Sequence, residues 1–154
     1  MRILMVCLGN ICRSPLADGV LRQKVEQRGL LWEVDSAGTA NYHIGEPPDE
    51  RMIKTAQGRG VDISWLRARQ FSQQDFKGFD RIYVMDRSNR SNVLKLTNEE
   101  DDRQKVYLLL DHLYPGEAAE VPDPYYGNSE DFDRVYTLID EATNALIKDL
   151  SYEP

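Results

Sequence analysis

The sequence predicts an α/β fold in a single domain: a doubly wound sheet of four parallel strands with helices on both faces. Three observations predict it. Short apolar runs alternate with stretches of helical spacing along the whole chain, the pattern that builds parallel βαβ units. Glycines fall where helices should stop, at Gly29 and Gly60. The last twenty or so residues, roughly one long helix, repeat apolar side chains at helical intervals, as a closing helix against a sheet would.

Residues 2–6 read as a buried strand because Ile3-Leu4-Met5-Val6 is apolar without interruption. A helix over 14–28 comes after it, with Leu16, Val20, Leu21 and Val25 on one face. Residues 33–37 give a second strand that stops at Gly38, and 39–48 have loop composition. A helix over 49–59, a strand over 80–85, a helix over 88–96 and a strand over 106–110 come next. The closing helix, 131–150, carries Phe132, Val135, Tyr136, Ile139, Leu146 and Ile147 at helical spacing. Right-handed crossovers then place helices on both faces, a flavodoxin-like arrangement in which ligands collect beyond the carboxyl ends of the strands. The segment after the first strand lies at that edge.

At 154 residues the natural count is one domain, 1–154, and no Pro-, Gly- or Ser-rich stretch marks a linker. A formal charge of −7 argues against nucleic acid or an anionic membrane as partner, since either needs a basic face. The opening apolar run breaks at Gly9-Asn10, far short of the roughly 20 residues that cross a bilayer, and no later run approaches that length. Both cysteines, Cys7 and Cys12, lie in one loop, so no disulfide framework exists and a reducing, cytoplasmic location is expected. His43 and His112 stand in no metal-ligand spacing relative to them, so neither a metal nor another cofactor is expected.

Function is carried by Cys7-Leu8-Gly9-Asn10-Ile11-Cys12-Arg13-Ser14-Pro15. A cysteine, five residues, then Arg-Ser at a strand-to-helix junction makes a phosphate cradle containing a nucleophile. Gly9 is expected to let the backbone curl, and Pro15 suits the first helical turn, where its missing N–H is not needed. The amides of residues 8–14, the helix N-terminus and the Arg13 guanidinium then converge on one point, suited to a phosphate dianion. The same point suits a thiolate, which the Ser14 hydroxyl can also reach, and only the thiolate is a competent nucleophile. Arg13 can clamp two phosphate oxygens in a fork that Lys could not copy. A strand-end cysteine is more often inert packing, but the strand before it, Gly-Asn within the loop and Arg-Ser after it favour chemistry. The loop is no nucleotide P-loop, because no Gly-Lys-Ser or Gly-Lys-Thr closes it.

Expelling an alkoxide or phenoxide needs a proton donor. Asp123, in Val121-Pro122-Asp123-Pro124-Tyr125-Tyr126-Gly127, is the most suggestive acid, with its backbone fixed by a proline on each side. Pro-Asp-Pro alone is ordinary turn chemistry. Tyr125 and Tyr126 add to it the wall of a cleft for a flat ring.

Taken together and in order, residues 7–15, Asp35-Ser36-Ala37-Gly38-Thr39, Met85-Asp86 and the late Asp-Pro-Tyr-Tyr-Gly resemble the low-molecular-weight protein tyrosine phosphatases over the whole chain. The resemblance implies hydrolysis of phosphotyrosine and other aryl phosphates, with tyrosine-phosphorylated proteins or small aryl phosphates as partners. It implies a phosphocysteine on Cys7, leaving-group protonation and then water activation by Asp123, and no metal. It also implies that Ser14 supports the thiolate, that Asn10 with Ser36 holds the loop, and that Tyr42, Tyr125 and Tyr126 line the substrate groove. Cys12 matches a second cysteine that forms a reversible disulfide with Cys7. Two departures stand out: Leu66 precedes Arg67-Ala68-Arg69-Gln70 where many members carry histidine, and Tyr42 stands where tryptophan is common. Two other functions compete. An arsenate reductase would need an external thiol donor, since this chain has no cysteines outside the loop. A slow phosphotyrosine-binding or redox-sensing module would not need the intact set of Cys7, Arg13 and Asp123.

Overall fold

An unbroken apolar run can form a strand only if both of its faces are covered. In the computed structural model, which describes residues 1–151, strand β1 (Arg2–Cys7) meets this condition, with Ile3, Leu4, Met5 and Val6 each 0% exposed. Successive side chains point to opposite faces. Ile3, Met5 and Cys7 therefore enter one apolar cluster, and Leu4 and Val6 another.

The first cluster is closed by α1 (Arg13–Gln27), α2 (Glu50–Gln57) and α6 (Ser129–Ser151), through Leu16, Leu21, Met52, Phe132 and Ile139 among others. The second is closed by the short α3 (Asp75–Gly78) and by α4 (Arg87–Leu94), through Phe76 and Val93. Between them lies a parallel sheet in the order β2-β1-β3-β4, with β2 spanning Glu33–Gly38, β3 Arg81–Val84 and β4 Val106–Leu108. A four-residue α5 (Glu100–Arg103) precedes β4. This is the expected doubly wound fold. The register pairs Cys7 with Gly38 and Val6 with Val84, so the ends of the three strands that carry chemistry meet at one edge.

The fourth strand ends two residues before its expected limit, and Leu109–His112 form a 3-10 turn instead. Leu109 and Leu110 continue the apolar run, but they are buried in the α6 cluster. Burial alone does not separate a strand from a covered turn. Helices α3 and α5 were not expected, because four residues are too few to show a period. No helix among the described residues is long and apolar enough to cross a membrane.

Helix α1 departs from a simple one-faced pattern, since Arg13 through Leu21 are all buried. Even Gly19 is covered: a Cβ there would collide with Ile63. This all-round burial includes Asp18, which is 0% exposed. Its Oδ1 accepts from Arg22 at 2.9 and 3.2 Å, while Oδ2 has no partner within the described residues. Burial, only partly offset by Arg22, pushes the carboxyl up to about 6. An acid whose folded pKa is raised contributes stability that is complete below its unfolded value, near pH 4, and lost as pH rises through 6. A shift of that size is worth about 3 kcal/mol. Urea unfolding at pH 4, 5, 6 and 7 should show this fall, and Asp18→Asn should flatten it. Equal slopes in the two proteins would remove Asp18 as its source.

Candidate active site

At the carboxyl edge of the sheet the chain must turn from β1 into α1 within five residues. The sharp turn falls on Asn10, at φ 57°, a left-handed conformation that asparagine tolerates better than most side chains. The curl therefore does not reside at Gly9 as expected, because the Gly9 backbone is not left-handed. Gly9 is needed for space: a Cβ on it would stand 3.1 Å from the ring of His43. Gly38 is needed for the same reason, since a Cβ there would sit 2.8 Å from the carbonyl oxygen of Leu8, on which the loop rests.

The strained turn is held by the side chain of Asn10 itself. Its Nδ2 donates to Ser14 Oγ (2.8 Å) and Ser36 Oγ (3.1 Å), and its Oδ1 accepts from the Arg69 backbone N–H (3.0 Å). Because Asn10 feeds the Ser14 oxygen, the Ser14 proton is free to point elsewhere. Cys7 Sγ lies 3.0 Å from Ser14 Oγ, nearer than the 3.3 Å alternative at the Ala37 carbonyl. The hydroxyl is thus placed to donate to a Cys7 thiolate. Asn10, Ser14 and Ser36 are all buried, so the arrangement is sheltered from water.

Cys12 precedes the first helical residue and offers no side-chain cap, which leaves the first N–H groups of α1 to an anion. Burial pushes the Cys12 thiol well above its ordinary range, and Asp49, Cys7 and Asp123 add to the effect. It is accordingly a neutral thiol. Arg13 is 3% exposed, with Nη1 donating to Asp86 Oδ2 (2.7 Å) and to the Val121 carbonyl (2.9 Å). Burial works against its charge, but Cys7, Asp86 and Asp123 outweigh burial and hold it protonated. The edge formed by Nε and Nη2 has no hydrogen-bond partner among the described residues; only Asp123 Oδ2 approaches Nη2, at 3.7 Å.

Asp86 was not singled out for a role by sequence. It caps α4, accepting from the Asn89 N–H (2.7 Å) while Asn89 Oδ1 accepts from its own N–H, and its second oxygen holds Arg13. Its position just beyond β3 was the available signal, because functional groups gather past the carboxyl ends of parallel strands. The Arg69 backbone donor left no sequence signal of this kind.

Asp123 reaches the same place from a loop tied to β3 through the Val121 N–H and the Met85 carbonyl (2.8 Å). Its Oδ1 accepts from the Tyr125 N–H (3.1 Å), and Pro122 and Pro124 flank it. Tyr125 and Tyr126 meet edge to face, with centroids 4.9 Å apart, and Arg51 lies over the Tyr125 ring. Asp123, Tyr125 and Tyr126, with Tyr42, His43 and the loop from Cys7 to Arg13, enclose a cavity of about 270 Å³. Asn10 and Ser14 stand behind it rather than in it. Cys7, Cys12, Arg13, Asp123 and the three tyrosines thus line one cavity, with Asn10, Ser14 and Ser36 bonded to one another behind its loop, and His43 joins them without having been expected there. Among the described residues no group of three or more His, Cys, Asp or Glu side chains is placed to hold a metal ion.

Comparison with known proteins matches residues 2–154 to the family model described as low molecular weight phosphotyrosine protein phosphatase. A protein of that description from Schizosaccharomyces pombe is 42% identical over 149 residues, covering 94% of each chain. The chain belongs to this family. Among solved structures, a protein tyrosine phosphatase from Entamoeba histolytica superposes on the phosphatase with a TM-score of 0.91 and 38% identity, covering 98% of this chain and 97% of the other. A Vibrio vulnificus protein solved with benzylphosphonate gives 0.86 at 31% identity, covering 96% and 97%. The phosphatase carries its two departures in different settings: Leu66 is buried in the main core cluster, whereas Tyr42 is 72% exposed at the cavity mouth.

Proposed function

We propose that the phosphatase hydrolyses phosphotyrosine and other aryl phosphates in two steps, with residues 1–154 acting as one catalytic unit. The observation that carries this reading is the placement of Cys7, the free edge of Arg13 and Asp123 around one aromatic-walled cavity. In the first step the Cys7 thiolate, hydrogen-bonded by Ser14, attacks phosphorus and forms an S–P bond. The P–O bond to the ring breaks, and its electron pair goes to the phenoxide oxygen, which takes the proton of the Asp123 carboxyl. Arg13 and the loop amides hold the phosphoryl oxygens throughout. In the second step the Asp123 carboxylate takes a proton from water, oxygen attacks phosphorus, and the S–P bond breaks to return the thiolate and release phosphate. Tyr42, Tyr125 and Tyr126 form the slot for the ring. A relative that binds benzylphosphonate supports an aryl ligand.

The cytoplasm, where Cys7 stays reduced, suits this chemistry. Cys12 fits the role of a guard. Peroxide converts the Cys7 thiolate to a sulfenic acid, and the Cys12 thiol condenses with it, losing water and forming a disulfide that reductant reopens. Burial of Cys12 keeps a second negative charge away from the phosphate site between such events. Cys12→Ser should retain most turnover but lose reductant-reversible recovery from peroxide; full recovery in that variant would contradict the role.

The functional reading is tested with chelator present, on phosphotyrosine, phosphoserine and arsenate with an added thiol. Release of phosphate from phosphotyrosine well above the other two reactions is expected. Arsenate reduction as the dominant reaction, or binding of phosphotyrosine without turnover, would overturn it.

A further inference from the structure

His43 is not used by the two-step chemistry, yet it is built into the site. Its side chain is 28% exposed and lines the cavity between Gly9 and Tyr42. The ring meets Tyr42 edge-on, with centroids 6.4 Å apart. Its Cδ2–Nε2 edge faces the loop, since these two atoms lie nearest the point where a Gly9 Cβ would stand. On the other edge, Nδ1 is 2.5 Å from Glu46 Oε2, within a turn closed by the Glu46 N–H and the His43 carbonyl (2.9 Å).

A carboxylate on Nδ1 fixes the proton there. Nε2 then offers a lone pair when the ring is neutral and an N–H when it is doubly protonated. Nε2 has no hydrogen-bond partner among the described residues. One ring nitrogen is thus anchored while the other is left open in a ligand cavity. The phosphoryl group is served by the loop and Arg13, and the aryl ring by the tyrosines. An unpartnered nitrogen on a partly exposed ring of the cavity wall is left for the substrate atoms beyond the aryl ring, which in a polypeptide are those of the amide backbone.

We propose that His43, oriented by Glu46, is a substrate-positioning residue that hydrogen-bonds the peptide backbone beside the phosphotyrosine, so that the enzyme favours phosphotyrosine within a polypeptide over a bare aryl phosphate. This rests on the aryl phosphatase reading. The test compares wild type, His43→Ala and His43→Gln on a terminally blocked phosphotyrosine peptide and on p-nitrophenyl phosphate. His43→Ala should raise KM for the peptide about five- to tenfold, the loss of one hydrogen bond. KM for p-nitrophenyl phosphate should rise by a clearly smaller factor. His43→Gln, which keeps a donor and an acceptor, should recover much of the difference. Parallel losses on both substrates with no recovery by Gln would make His43 a brace for the loop and overturn the proposal, as would an unchanged peptide KM. A wild-type protein inactive on both substrates would instead defeat the functional reading, so the two failures are distinguishable.

Discussion

Cys7→Ser lowers turnover of aryl phosphates by about 10⁴-fold or more, the scale on which removing a covalent nucleophile acts. The substitution is nearly isosteric at a site 3% exposed, and a serine hydroxyl can keep the contact to Ser14 Oγ, so the thermal midpoint should stay within a few degrees, roughly the shift that 1 kcal/mol produces. Phosphate should still bind, because Arg13, the loop amides and the helix N-terminus are untouched. Steady-state hydrolysis paired with a phosphate-binding titration checks both halves. Retained turnover would place the nucleophile elsewhere. Turnover and binding lost together would mean that the loop had collapsed.

Asp123→Asn should separate substrates by leaving group. A positioned acid contributes about 10²- to 10⁴-fold, and it contributes most where the departing oxygen is most basic. Alkyl-substituted phenyl phosphates should therefore lose far more than p-nitrophenyl phosphate, whose leaving group needs little help. The variant should fold normally: Asp123 is 43% exposed at its side chain, and an asparagine Oδ1 can still accept from the Tyr125 N–H. A plot of log kcat/KM against leaving-group pKa should steepen in the variant. Parallel plots would remove Asp123 as the acid.

The parts of the fold legible in the sequence were those with a strong period or an unbroken apolar run. β1 could be read from four residues because a fully apolar strand has few alternatives, and α6 because its buried residues recur over many turns. The first half of the turn at Leu109–His112 was read as strand because Leu109 and Leu110 are as buried as strand residues, and burial rather than backbone shape is what composition reports. In the site, Cys7, Arg13 and Asp123 were legible because their chemistry restricts residue type and neighbours. The loop's curl was misplaced because glycine is the usual carrier of a left-handed turn. Here Asn10 carries it, stabilised by three partners that include Ser36 and the Arg69 backbone, distant in sequence. Asp86 and His43 went unassigned for a related reason. Each gains meaning only from what the fold sets beside it, Arg13 in one case and the cavity mouth in the other.

Central to the proposed mechanism is the passage of the phosphoryl group through the sulfur of Cys7. It is tested most directly by mixing the Asp123→Asn enzyme with excess aryl phosphate, quenching within the first turnover in denaturant at high pH, and mapping phosphate onto peptides. Near-stoichiometric phosphate on the Cys7 peptide is the predicted result, since loss of the Asp123 carboxylate slows hydrolysis of the S–P bond. Continued product formation with no phosphate on Cys7, or with phosphate on another residue, would contradict it.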